Sequence, residues 1–163
     1  MPLREFDQMP ENARLWIFAA DRPLSETERD RLLGSVDVFL DSWAAHNVPL
    51  TAARDWRYDR FLFISVDEAA AGVSGCSIDA LVHDIRALQD ELQVTLIDHA
   101  PVMFRDNGDI RRVSRQTFAE MARTGSVTPE TPVFNNSLTS VGQLRSGGWE
   151  VSAADSWHAG AFF

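Results

Sequence analysis

Two runs of the chain are apolar on both alternating faces, Arg14-Leu15-Trp16-Ile17-Phe18-Ala19-Ala20 and Phe61-Leu62-Phe63-Ile64-Ser65-Val66. A strand buried on both faces reads as a continuous apolar run, so the pattern predicts two central strands. Between them, Leu32, Leu33, Val36, Phe39, Leu40 and Trp43 recur at helical spacing. Ser25-Glu26-Thr27-Glu28 precedes that run and has the form of a capping box, in which the serine hydroxyl and the glutamate carboxylate satisfy free N–H groups reciprocally. The helix is expected to stop near His46-Asn47, ahead of Pro49. Residues 50–58 carry more polar positions and predict an edge strand, with a turn at Asp59-Arg60.

The second half follows the same logic. Ile78, Leu81, Val82, Ile85, Leu88 and Leu92 form the apolar stripe of a helix over 77–92. The next strand is expected in 94–97, in 102–104, or in both. Asn107-Gly108 is the strongest hairpin signal, because both residues tolerate the positive φ of a tight turn, and it pairs that strand with 109–113. Ser114 caps a short third helix holding Phe118 and Met121, which ends at Gly125. The last forty residues, rich in Gly, Ser, Thr, Pro and Asn, predict two or three short strands in irregular backbone.

The order strand, helix, strand, strand, helix, strand predicts an α+β fold. Specifically it predicts a ferredoxin-like βαββαβ antiparallel sheet with both helices on one face. Residues 1–113 form this core in that reading, with the hairpin lengthening its sheet. Residues 114–163 form a helical and short-strand extension packed on the same domain.

Composition narrows the function. The 163 residues carry one cysteine, which excludes an internal disulfide and fits a reducing compartment. No apolar run approaches the length of a membrane helix and no leader pattern opens the chain, so a soluble cytoplasmic protein is expected, with no membrane partner. The net charge of −9, with basic residues scattered, argues against nucleic acid. All 15 basic residues are arginine. Without lysine, neither Schiff-base chemistry nor a P-loop phosphate site is possible.

Cys76 is the first candidate for chemistry. It sits in the small-residue loop Ala71-Gly72-Val73-Ser74-Gly75-Cys76, where a helix N-terminus would favour a thiolate. On a helical wheel Cys76, Asp79 and His83 share one polar stripe opposite the apolar one. The N–H groups from Gly75 through Ser77 to Ile78 would then form an anion hole. The simpler reading makes Cys76 a small residue tucked beneath a loop and the polar stripe a solvated face. A second candidate is Asp155-Ser156-Trp157-His158: His158 would serve as a base if the tail reached Cys76, while Trp157 reads more simply as a hydrophobic anchor. Asn135-Asn136 reads as a turn whose side-chain amides can also meet a ligand. Histidines 46, 83, 99 and 158 show no paired metal spacing, so neither metal nor cofactor is expected.

At Met9-Pro10-Glu11-Asn12-Ala13-Arg14-Leu15-Trp16-Ile17, Gly75-Cys76-Ser77-Ile78-Asp79, Val133-Phe134-Asn135-Asn136 and Ser156-Trp157-His158, the chain resembles a family of small bacterial proteins, chiefly from the Bacteroidetes group, that carry the label "ABC transporter ATPase". The resemblance spans nearly the whole length and implies that the Cys76 and Trp157-His158 motifs belong to the family's pattern. The label does not fit the residues: an ATPase of that kind needs a Gly-rich loop ending in Gly-Lys-Ser or Gly-Lys-Thr. The expected function is therefore binding of a small molecule or a protein, a second copy included. The alternative is a thiol-dependent hydrolase or transferase, or a redox-responsive protein, using Cys76 with His158 or His83 as base.

Overall fold

In the computed structural model, which describes residues 4–163, the first apolar run is strand β1 (Arg14–Ala19). Ser25 Oγ accepts from the Glu28 N–H and the Glu28 carboxylate accepts from the Ser25 N–H, closing the capping box that starts α1 (Glu26–Ser42). The helix ends earlier than its spacing predicts. His46 and Asn47 take positive φ values of 51° and 66°, the signature of a tight hairpin turn, and pair β2 (Ala44–Ala45) with β3 (Val48–Pro49). Trp43 is thus the C-cap rather than a helical residue.

β4 (Thr51–Arg57) and β5 (Phe61–Asp67) follow, then α2 (Gly75–Leu92). The first sheet has the order β1-β5-β4, antiparallel throughout. Alternation places Phe18, Ala52, Leu62, Ile64 and Val66 on one face. Leu32, Val36 and Leu40 of α1 and Leu81, Ile85 and Leu88 of α2 are buried against them, so both helices cover the same face. β4 is the edge strand its polarity predicts, and its outer edge is blunted. The Ala52 carbonyl accepts from the Arg4 N–H at 2.7 Å, and the Asp55 carboxylate takes the Trp56 N–H at 2.9 Å.

β1 is not central. The fourth strand expected beside it is missing from this sheet. Residues 94–97 lie where it would begin, but the Gln89 side-chain oxygen takes the N–H groups of Leu96 and Ile97 at 2.9 and 3.1 Å, removing donors a ladder needs. Two loops satisfy the outer edge of β1 instead. Asp21 N–H donates to the Thr95 carbonyl at one end. At the other end Leu15 N–H donates to the Thr139 carbonyl and Val141 N–H to the Ala13 carbonyl, both at 3.0 Å.

The chain divides into two compact units, the first running to Ile97 and including Thr139–Gly142, the second comprising Asp98–Leu138 and Gln143–Phe163. The Asn107-Gly108 hairpin forms as predicted, from β6 (Val102–Asp106) and β7 (Asp109–Val113), but it belongs to the second unit and does not lengthen the first sheet. α3 (Arg115–Thr124) has Ser114 as N-cap and Gly125 at its C-cap with φ 80°. β8 (Pro132–Phe134), α4 (Val141–Arg145), β9 (Glu150–Ser152) and α5 (His158–Phe162) complete the chain, more helical than its composition predicts. The second sheet has the order β7-β6-β8-β9. Val102, Phe104 and Val133 bury one of its faces against Phe118, Val127 and Ala153.

Candidate functional site

The first candidate lies at the start of α2. The helix begins two residues earlier than its apolar stripe predicts, because Ser74 and Ser77 form a capping box. Ser74 Oγ accepts from the Ser77 N–H at 3.2 Å, and Ser77 Oγ accepts from the Ser74 N–H at 2.7 Å. Cys76 is therefore the second residue of the helix, and it is exposed. This corrects the reading of a thiol tucked beneath a loop. The polar stripe does form: Asp79 and His83 are exposed on the same helix. The anion hole is smaller than expected, since the Ser77 N–H is held by Ser74 Oγ and the Ile78 N–H by the Ser74 carbonyl, leaving those of Gly75 and Cys76. Ser77 is buried and committed to the cap and to the Trp43 indole, so it is a structural residue.

The helix also fixes the distance from thiol to imidazole. Seven residues at 1.5 Å rise separate Cys76 from His83 by roughly 10 Å along the axis, beyond a hydrogen bond. We expect a neutral alkylating reagent to modify Cys76 in the native protein at a rate within about threefold of the unfolded chain, with His83→Ala leaving that rate unchanged. Mass spectrometry of timed iodoacetamide reactions reads both. Protection until unfolding would contradict the exposed position.

One group on this helix escaped the sequence reading. Ser77, Asp84 and Glu91 are seven apart and share a stripe. The Ser77 carbonyl accepts from Trp43, and Glu91 pairs with Arg31, so the stripe faces α1. One Asp84 carboxylate oxygen is buried there without a partner; burial pushes its carboxyl up, and the charge of His83 opposes the shift.

The second candidate is in the second unit. Ser156 Oγ lies 2.5 Å from His158 Nδ1 and accepts the His158 backbone N–H at 3.2 Å. The imidazole is only 1% exposed and meets the Phe118 ring edge-on at 6.3 Å. Burial, then the positive charge of Arg115, pushes it down to about 4, so it is neutral at pH 7. The Trp157 indole stacks on it at 3.9 Å, and the Arg115 guanidinium lies 4.9 Å from the centre of the indole ring. Arg115 is itself held by the Ala100 carbonyl, which accepts from its Nε at 2.9 Å. Trp157 thus has the Arg115 guanidinium and the His158 imidazole as ring partners, with the indole 36% exposed; Phe163 is 45% exposed. Sequence reasoning placed Trp157 and His158 but missed Arg115 and Phe118. Their signal was weak: Arg115 follows the Ser114 cap, and Phe118 lies three residues on, on the buried side of the helix.

Asn135 and Asn136 form the predicted turn, and their side chains are engaged. Asn135 Oδ1 accepts from the Ser137 N–H and hydroxyl, while Asn136 Oδ1 accepts from the Trp149 indole N–H at 2.9 Å. Among the described residues no group of three or more His, Cys, Asp or Glu side chains converges to hold a metal ion. Nor is any helix among them long and apolar enough to cross a membrane. No protein family, curated protein or solved structure matches the chain.

Proposed function

We propose that this chain is a cytoplasmic binding domain, not a nucleotide hydrolase, and that it meets a protein partner through the surface of Arg115, Trp157 and Phe163. One observation carries this reading: a solvent-facing indole is stacked on a buried imidazole and has a guanidinium over its ring. Aromatic and arginine side chains fixed before contact lose little entropy on binding and are the residue types that dominate interface energetics. We also read the first unit as a ferredoxin-like core without its fourth strand; the order β1-β5-β4 and two helices on one face support this. The motif resemblance to the small bacterial family stands beside this reading and adds no residue roles.

The test compares proteins retained by the wild-type chain and by Trp157→Ala, with sedimentation of the purified chain to detect a second copy. A partner retained by the wild type, lost by at least tenfold from the variant and rebinding when purified supports the proposal. A partner held equally by both, or a monomer that retains nothing, overturns it. The exposure of Cys76 favours a second reading, a thiol-dependent activity at the start of α2. In that reading Asp79, one helical turn on, is the carboxylate on the stripe of Cys76, and no imidazole on α2 serves as base.

A further inference from the structure

His158 is a titratable group placed where only its neutral form fits. It is 1% exposed, in contact with Phe118 and stacked beneath Trp157, and Phe162 of the same helix lies 6.2 Å from it ring to ring. The elements packed against it offer no compensating negative charge. α3 presents Arg115, a like charge, and its Glu120 is paired with Arg123. On the short turn before α5, Asp155 is exposed. Ser156 gives a hydrogen bond but no charge.

What His158 holds in place is a short chain segment. α5 has five residues and docks on α3 through aromatic contacts: Phe162 meets Phe118 at 4.9 Å and Phe163 meets it at 6.4 Å. So short a helix has little stability of its own and depends on this docking. Phe118 beneath it is fully buried.

We propose that residues 155–163 are an acid-released latch: when His158 takes up a proton, α5 leaves α3 and uncovers Phe118. The imidazolium gains water and distance from Arg115 only by moving out. The direction follows from linkage. An imidazole harder to protonate when docked than when free favours the docked form above about pH 6.5 and loses that advantage as pH falls toward 4. The latch does not depend on the Trp157 surface having a partner.

NMR of the full chain from pH 7.5 to 4 tests this, following the His158 imidazole and the backbone amides of α5, wild type against His158→Asn. We expect the α5 amides and the imidazole to change with one midpoint, at least one unit below the ordinary histidine value, while amides of β6, β8 and the first unit hold. His158→Asn should abolish that transition. Three results overturn the proposal: an imidazole titrating near 6.5 with α5 unmoved; the same α5 transition in His158→Asn; or loss of α5 and sheet amides together, which is unfolding of the whole unit. If the variant does not fold, coincidence of the two wild-type midpoints decides alone.

Discussion

Phe118→Ala should lower the stability of the second unit by about 3–5 kcal/mol, the range for deleting a fully buried aromatic side chain. Phe118, on α3, packs against both the sheet and α5. It meets Phe104 of β6 at 5.3 Å and Phe162 of α5 at 4.9 Å, both edge-to-face, and is 0% exposed. Truncation leaves a cavity with four rings on its wall, Phe104 on the sheet and His158, Phe162 and Phe163 on the C-terminal segment. Phe118→Leu keeps most of the burial and should cost about 1–2 kcal/mol. Denaturant unfolding with hydrogen exchange at the amides of β6 and β8 measures both. Equal and small effects would mean that the centre of the unit lies elsewhere.

The sequence carried the local structure well because caps and turns are local chemistry. Ser25 with Glu28, Ser114 with Gly125, and Asn107-Gly108 each form where their side chains predict. Pairing across the chain was less accessible. Nothing in Val102-Met103-Phe104 says which sheet it joins, since an apolar strand is satisfied by any apolar partner of matching length. It pairs with β8 through Phe104 and Val133, 29 positions apart, and so builds a second sheet. Where the fourth strand would begin, the Gln89 side-chain oxygen takes the N–H groups of Leu96 and Ile97, seven and eight residues on, a pair of side-chain bonds that no periodicity announces.

The candidate sites divide in the same way. The stripe of Cys76, Asp79 and His83 follows from helical geometry, and it forms. His158 pairs with a serine two residues away and lies under an aromatic cluster drawn from two separate helices. Its neutrality is a property of burial, which composition does not express. Arg115, the cation over Trp157, comes from a position 42 residues earlier, so the stack exists only once α3 and α5 are docked.

Trp43→Ala should destabilise the first unit by about 3–5 kcal/mol, and Trp43→Phe separates the two parts of that loss. The indole is 3% exposed and packs edge-on against Trp16 at 6.0 Å and tilted against Phe39 at 5.5 Å. Its N–H donates to the Ser77 carbonyl at 2.9 Å, tying the end of α1 to the first turn of α2. Phenylalanine keeps most of the packing and removes the donor. The Ser77 carbonyl lies inside α2 and retains the helical bond to the residue four further on, so the cost belongs at the low end of a lost buried bond, about 1–2 kcal/mol. That loss should appear locally as well as globally. Ser77 closes the capping box that places Cys76 on the helix, so amide exchange at Ser77 and Ile78 should quicken by roughly tenfold in Trp43→Phe, the kinetic equivalent of about 1.4 kcal/mol. Urea unfolding and residue-resolved exchange give both quantities. A neutral Trp43→Phe would show that packing alone joins the two helices, and that the first turn of α2 is held by its own serines.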